Sequence, residues 1–436
     1  MRLASDLQVN TTSYVNVLTQ SISITAANTR VLVIADGRYF PVDKPAGSMR
    51  VAIDGSEAYT TYAINDWGSA KTNASVQHSF NVLAYAVLQP GTHTINLRAG
   101  SHPSRPGRFS VGSYSGMSVI INPSQQTLVS SLSGESAQIN VTTYAPPGVN
   151  IVEGSANRPL VSVLSNSVTN NTAATVGVAT LISGRAFQSC TGNGDALWGI
   201  SQDNVCQWTD SASWAVNDID PGAETQAPMY AHAFHAVGPG KTSNIAFKAS
   251  ELAFGSDQAG SASGAHENAV CYKAGSAKII SIVGSAVAGG AGGNSTFCST
   301  YTWKCVASTT GAPGCPTQAS DVTLASKTVN IPSGHNGVFE FSAKTRTQLD
   351  NADGFSTAIL GLKIDGVQQG TLGIQQIRAG FGQASRTLTA SYLSASGPNS
   401  APLAPGPHLV EVYINVQGAQ IKNASVPQEL ALVYFD

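Results

Sequence analysis

The chain has 436 residues, enough for roughly two to four domains. Hydrophobic residues make up 42% and charged residues only 11%, which excludes long exposed helices and coiled coils because their outer faces need Glu and Lys. The hydrophobic fraction also excludes a disordered chain. Lys and Arg number 23 against 25 Asp and Glu, without a basic cluster, so no nucleic-acid partner is expected. The composition favours an all-β protein.

The first third of the chain predicts strands joined by tight turns. Its apolar run Val31–Ala35 is far shorter than the ~20 residues that a membrane helix needs, so no membrane insertion is expected. The first residues also lack the apolar segment of a secretory signal. Val51–Gly55 ends in Asp-Gly, which is the strongest short hairpin signal.

One pattern occurs three times along the chain. Each copy places a Pro-Gly pair, at Pro90, Pro239 and Pro405, before a segment of alternating apolar and polar residues. This alternation is typical of a half-buried antiparallel strand, and Pro-Gly favours the tight turn that sets its register. The copies are Phe80–Ala99, Tyr230–Ala249 and Ser400–Ala419.

Further landmarks repeat in the same order. Ile34–Phe40 is similar to Leu181–Phe187, and Val51–Gly55 is similar to Leu362–Gly366. A β-rich segment closes each unit: Met117–Ile121, Lys278–Val283 and Leu430–Phe435. Together these patterns predict three tandem antiparallel β-sandwich domains. A jelly-roll-like fold is favoured over an immunoglobulin-like one because no Cys…Trp…Cys spacing is present. The predicted limits are 1–122, 123–285 with most of the cysteines, a Gly-rich cysteine-containing linker at 286–318, and 319–436.

All six cysteines lie in the middle of the chain, and no C-x-x-C pair occurs among them. An even, clustered count favours two or three disulfides, with free buried thiols and a metal site as alternatives. The sequence does not choose among the possible pairings. The disulfide candidates are Cys190, Cys206, Cys271, Cys298, Cys305 and Cys315.

The sequence offers little for catalysis. Gly112–Gly116 and Gly260–Gly264 have the spacing of a nucleophile elbow, but Tyr and Ala stand where the serine is required. No phosphate-binding loop and no H-E-x-x-H motif is present. His232 and His235 lie three apart on a predicted strand and would point to opposite faces, which favours a structural role. We therefore expect no enzyme, no catalytic residue, no metal and no cofactor.

Aromatic residues give a weak indication of binding. Trp208 and Trp214 lie close to Asp218 and Asp220, and Trp faces beside carboxylates suit the apolar faces and hydroxyl edges of sugar rings. Alternatively, the Trp residues fill domain cores or the seams between domains. The Asp218–Asp220 segment has the oxygen-rich character of a calcium loop, but an Asx-rich turn is the favoured interpretation.

The three Pro-Gly units, the hairpins at Asp54 and Asp365 and the final Ala431–Asp436 strand resemble tailed-bacteriophage virion surface proteins built from tandem TNF/C1q-like jelly rolls. The resemblance implies a non-enzymatic virion structural protein, such as a capsid decoration, neck or fibre component, located on the particle surface. It implies partners among the other virion proteins, a homotrimer, and contact with a host surface glycan. Two alternatives remain: a secreted or cell-surface carbohydrate-binding protein, and a glycan-degrading enzyme.

Overall fold

A computed structural model gives the architecture of most of the chain. In the described ranges, all regular secondary structure consists of β-strands, which confirms the all-β prediction. Among these residues, no helix is long and apolar enough to cross a membrane. The described ranges are 1–43, 46–65, 78–103, 106–124, 126–134, 138–140, 161–188, 194–203, 212–216, 225–252, 272–283, 303–304, 321–331, 338–349, 355–378, 384–393, 403–418 and 423–435.

The strands fall into three consecutive sets, here named the first, second and third repeats. The first repeat contains β1 (Leu7–Val9), β2 (Val15–Ile24), β3 (Thr29–Pro41), β4 (Gly47–Ile53), β5 (Tyr62–Asn65), β6 (His78–Leu88), β7 (Gly91–Ser101), β8 (Phe109–Val111) and β9 (Gly116–Ile121). The second contains β10 (Gln126–Ser131), β11 (Gln138–Asn140), β12 (Val161–Thr169), β13 (Val176–Gln188), β14 (Gly194–Gln202), β15 (Ala212–Val216), β16 (Thr225–Val237), β17 (Thr242–Leu252) and β18 (Tyr272–Val283). The third contains β19 (Trp303–Lys304), β20 (Val322–Ile331), β21 (Val338–Leu349), β22 (Phe355–Ile364), β23 (Val367–Arg378), β24 (Ala384–Leu393), β25 (Gly406–Gly418) and β26 (Asn423–Phe435).

Each repeat forms two antiparallel sheets with the same strand order. The sheets are β1-β8-β3-β6 and β2-β7-β4-β5 in the first repeat, β10-β18-β13-β16 and β12-β17-β14-β15 in the second, and β19-β26-β21-β24 and β20-β25-β22-β23 in the third. Two further strands extend these sheets outside these orders: β9 pairs with β3, and β11 pairs with β18. When the strands of each repeat are numbered one to eight, leaving out β9 and β11, the two sheets have the orders 1-8-3-6 and 2-7-4-5. This arrangement is the double Greek key of a jelly roll, so the predicted fold class is confirmed.

The predicted landmarks occupy equivalent strand positions. The Asp-Gly turns follow strand four, because Asp54 comes directly after β4 and Asp365 directly after β22, both with positive φ (50° and 51°). The Pro-Gly pairs stand between strands six and seven. β19 lies within the stretch predicted as a linker and pairs with β26. The exact domain limits stay a prediction.

The cores of the first and second sandwiches lie between their two sheets. In the first repeat, Val33 of β3, Val51 of β4 and Leu97 of β7 are fully buried in one cluster. In the second, Ile182, Ile200 and Phe247 form the corresponding cluster. Alternate residues of these strands face the core, as the period-two pattern of the sequence indicates.

Candidate interaction surfaces

Most of the residues predicted to be functional lie outside the described ranges. This applies to all six cysteines and to Trp208, Asp218 and Asp220. Trp214 lies in the edge strand β15, opposite Ala196 of β14. The disulfides and the Trp-centred ligand site stay predictions.

The turn after strand four of the first repeat is held to the start of strand seven. Asp54 Oδ1 accepts a hydrogen bond of 2.8 Å from the backbone N–H of Thr94, and its Oδ2 lies 2.6 Å from His93 Nδ1. His93 Nε2 lies 2.8 Å from the carbonyl oxygen of Gln89. One carboxylate therefore joins the Asp-Gly turn to the segment that follows the Pro-Gly turn. We name this arrangement the turn clasp.

The third repeat contains the same clasp with the same chemistry. Asp365 Oδ1 accepts from the backbone N–H of Leu409 at 2.8 Å, and Oδ2 lies 2.7 Å from His408 Nδ1. His408 Nε2 lies 2.8 Å from the carbonyl oxygen of Ala404. The two clasps match atom for atom although they are more than 300 residues apart in the chain.

The second repeat retains the aspartate and replaces the histidine. Asp203 has φ 52° and accepts the backbone N–H of Asn244 at 2.7 Å. Ser243 Oγ donates to Asp203 Oδ2 at 2.5 Å, and Gln202 Nε2 donates to the same hydroxyl at 2.7 Å. The aspartate and its backbone bond are therefore common to all three repeats, and the second partner varies.

The histidine clasps favour the charged imidazole. Both ring nitrogens of His93 and of His408 face oxygen acceptors, so each ring satisfies its contacts best when both nitrogens carry protons. The bond to Asp54 raises the pKa of His93, and the bond to Asp365 raises that of His408. The pKa of Asp365 is lowered chiefly by the bond from His408. Partial burial pushes the pKa of Asp54 upward, but the bonds from His93 and Thr94 outweigh it and the net shift is downward.

The sequence predicted the Asp-Gly turn and the Pro-Gly turn of each clasp, but it did not show that the aspartate of one contacts the histidine after the other. A signal was available, because a histidine stands two residues after the glycine of Pro-Gly in the first and third copies. These are Gly91-Thr92-His93 and Gly406-Pro407-His408. The partners are separated by 39 and 43 residues, so only the jelly-roll order, which pairs strands four and seven, brings them together.

An arginine cluster lies on the outer face of the 2-7-4-5 sheet in the first repeat. The guanidinium of Arg50 lies 3.3 Å from the ring centre of Tyr14 and 4.7 Å from that of Tyr62. Glu57 joins two arginines, with 2.5 Å to Arg50 Nη1 and 2.9 Å to Arg98 Nη1. The one carboxylate and the aromatic faces compensate the two adjacent cations.

Equivalent positions in the other repeats carry different residues. Strand register matches the Arg50–Arg98 pair with Gly199–Lys248 and with Gly361–Tyr413. In the third repeat, Lys363 instead bonds Asp321 at 2.6 Å and lies 4.5 Å from the Tyr413 ring centre. The outer faces of the three repeats are therefore chemically distinct although their backbones follow one path.

A buried apolar seam joins the first and second repeats. It consists of outward-facing residues of the two 1-8-3-6 sheets, all at most 3% exposed. Polar contacts lie beside it: Thr61 and Ser183 hydroxyls are 2.9 Å apart, and Ser183 donates to the carbonyl oxygen of Asn81 at 3.2 Å. The seam residues are Leu32, Ile34, Leu83, Ile120, Ala179, Leu181, Ile280 and Ile282.

The histidines of the Tyr230–Ala249 copy were expected to be structural. His235 of β16 is buried at 4% exposure, and desolvation lowers its pKa to about 4. Its position inside the sandwich agrees with a packing role. Within the parts of the chain that are described, no group of three His, Cys, Asp or Glu residues is placed to hold a metal ion.

Comparisons with known proteins give fold-level likeness only. No family model matches the chain, and no curated protein matches it. Among solved structures, it is similar to the triple jelly-roll turret protein of an archaeal virus (7% identity, covering 95% of this chain and 82% of that one, TM-score 0.17). It is also similar to a chain in the structure of infectious bursal disease virus, Gt strain (8% identity, covering 99% of this chain and 82% of that one, TM-score 0.20). A third similarity is to the tandem CBM22-1-CBM22-2 domain of Paenibacillus barcinonensis Xyn10C (11%, 60% and 82%, TM-score 0.14).

Proposed function

We propose that this chain is a non-enzymatic structural protein of a bacteriophage particle, a capsid decoration, neck or fibre component built from TNF/C1q-like jelly rolls. The observation that carries the proposal is the threefold use of one jelly-roll path, with the sheets of the first two repeats packed on each other through a buried seam. Jelly rolls assembled in this way supply rigid, hydrogen-bonded building blocks for a shell or spike.

The chemistry of the described residues supports an assembly role. Carboxylates and histidines of the clasps are occupied in fixing turns, and Glu57 is occupied in joining two arginines. Low total charge leaves shape and hydrogen bonding as the means of recognition. Adhesion to a host glycan would then come from loops that the rigid sandwiches present, and repeated weak contacts would gain from avidity.

Particle association is tested by tracing the chain through purification of the phage that encodes it. An antibody against the chain should decorate intact particles purified through a density gradient, and peptides of the chain should be recovered from them at a fixed ratio to the capsid protein. A chain found only in the soluble fraction of the lysate would contradict the proposal.

Glycan contact is assigned, within the proposal, to Trp208, Trp214, Asp218 and Asp220. The paired variant Trp208→Ala/Trp214→Ala should abolish binding of the purified chain to host cells, whereas Tyr114→Ala, an exposed aromatic of the first repeat, should retain it. Release of reducing ends from the host polysaccharide by the unmodified chain would instead establish the glycan-degrading alternative.

A further inference from the structure

The seam between the first two repeats uses equivalent surfaces of each jelly roll. Strand register matches Leu32 with Ala179 and Ile34 with Leu181, and it matches Ile120 of β9 with Ile282 of β18. These residues face away from the sandwich cores, because their neighbours Val33 and Ile182 belong to the core clusters. The outer faces of these two sheets are thus directed toward another repeat.

A second surface belongs to the same contact. Thr61, next to the edge strand β5, bonds Ser183 of β13, and β5 packs against both β13 and β16. Strand five of the first repeat therefore meets strands three and six of the second. The contact is heterologous, since one repeat contributes an edge and the other contributes a sheet face.

The same contact recurs in cyclic order through the chain. β15, the edge strand of the second repeat, packs against β24 and β21 of the third. β23, the edge strand of the third repeat, packs against β3 and β6 of the first. In all three cases strand five lies on strands three and six of the next repeat. A heterologous contact that returns to its starting unit forms a closed ring.

We infer that the three repeats form a closed, pseudo-threefold ring within one chain, so that a single chain is the equivalent of a jelly-roll homotrimer. Each repeat contributes its strand five to one neighbour and receives strand five of the other neighbour on its own strands three and six. The ring therefore leaves no copy of this interface for a second chain, and it takes the place of the homotrimer that the sequence resemblance implies. The inference does not depend on what the protein binds.

Covalent linkage also explains how the three outer faces can differ. In a homotrimer, one sequence must serve every position, whereas here Arg50–Arg98, Gly199–Lys248 and Gly361–Tyr413 occupy equivalent places. The ring keeps the contact surfaces equivalent while each repeat presents its own residues outward.

The test is to cut the chain and ask whether the parts stay together. A protease recognition sequence inserted between Gly292 and Gly293 permits cleavage between the second and third repeats, and a reductant removes any disulfide that could bridge the cut. After cleavage of the purified full chain, the third repeat should co-elute with the rest in size-exclusion chromatography, because it is held on two sides. The uncut insertion variant is the control for folding.

A second cleavage site ensures that the result does not depend on a single position of insertion. The same sequence between Asn122 and Pro123, where β9 has ended and β10 has not begun, allows the first repeat to be separated from the second, and the ring again predicts co-elution. Separation of the fragments after either cut would overturn the inference. Native mass spectrometry of the uncut chain should give one chain of 44.9 kDa, and a stable species of three chains would equally overturn it.

Discussion

The first and second repeats follow one strand order with different chemistry at equivalent positions. The turn after strand four is held by Asp54 with a histidine in the first and by Asp203 with a serine in the second. Both aspartates have positive φ and accept one backbone N–H from strand seven. This backbone bond is therefore the element shared by the three repeats, and the side-chain partner of the aspartate sets the charge and the pH response of the turn.

The largest effect is expected where the first repeat brings two backbone segments together. A Cβ at Gly37 would lie 2.6 Å from Ser115 Cα, and Gly37 has φ +156°. Gly37→Ala should therefore lower the free energy of unfolding by about 3–5 kcal/mol, because overpacking and backbone strain add. Urea denaturation measures the change. Gly238→Ala, where the new methyl group meets only the Lys241 side chain at 3.7 Å, is the control, and equal losses would refute this explanation.

The seam offers the next comparison. Leu32→Ala gives the first repeat the residue that the second has at the equivalent position 179, where both side chains are buried. Loss of apolar contact and a residual cavity should lower unfolding stability by about 2–4 kcal/mol. Val87→Ala, on a half-exposed position of β6, should change it by less than about 0.5 kcal/mol. A negligible effect at Leu32 would mean that the seam does not form in solution.

The arginine cluster separates the first repeat from the others. Glu57→Gln leaves Arg50 and Arg98 adjacent without their shared carboxylate, and unfolding stability should fall by about 1–3 kcal/mol. The loss should be larger at low salt than at high salt, because ions screen the remaining repulsion. Asp43→Asn removes the exposed ion pair with Arg108 and should leave stability unchanged. Equal responses of the two variants would contradict a special role for the cluster.

The smallest effect concerns the clasps and is seen as pH dependence. Folding raises the pKa of His93 and His408, so their stabilisation is complete below the ordinary value of 6.5 and is lost as pH rises through the raised values. Asp54 and Asp365 have lowered values, so their contribution is present above 3.8 and is lost as pH falls. Thermal unfolding should therefore show the clasp contribution at its largest between about pH 4 and 6.5.

Exchanging the clasp chemistry checks this interpretation. His93→Ser/His408→Ser should remove the decline in stability above pH 6.5, at a cost below about 1 kcal/mol per clasp because the pairs are exposed to solvent. Ser243→His in the second repeat should add such a decline. An unchanged pH profile in both variants would show that the clasps contribute nothing measurable.

Local sequence patterns predicted the strands and turns, but they did not predict which of these segments contact each other. Asp-Gly and Pro-Gly report on a few neighbouring residues, and Asp54 and Asp365 occupy the predicted turns with positive φ. The partner of each aspartate depends on the order of strands in a sheet, which no local pattern encodes. The sequence therefore predicted the fold class while the clasps stayed hidden.

One apolar segment of the sequence indicates the seam. Val31–Ala35 is uninterrupted by polar residues, whereas a strand with one face in water alternates. The structure gives the reason, because Val33 faces the sandwich core and Leu32 and Ile34 face the next repeat. Such a run predicts burial on both faces but not the surface that covers it. The cysteines and Trp208 lie outside the described residues, and their roles stay predictions.

If the three jelly rolls of one chain hold each other in a single compact body, small-angle X-ray scattering coupled to chromatography will show it. We expect one chain of 44.9 kDa with a radius of gyration of about 22 Å, the value for a compact body of 436 residues. A radius of roughly 30 Å or more, as expected of three separate domains in a row, would contradict it.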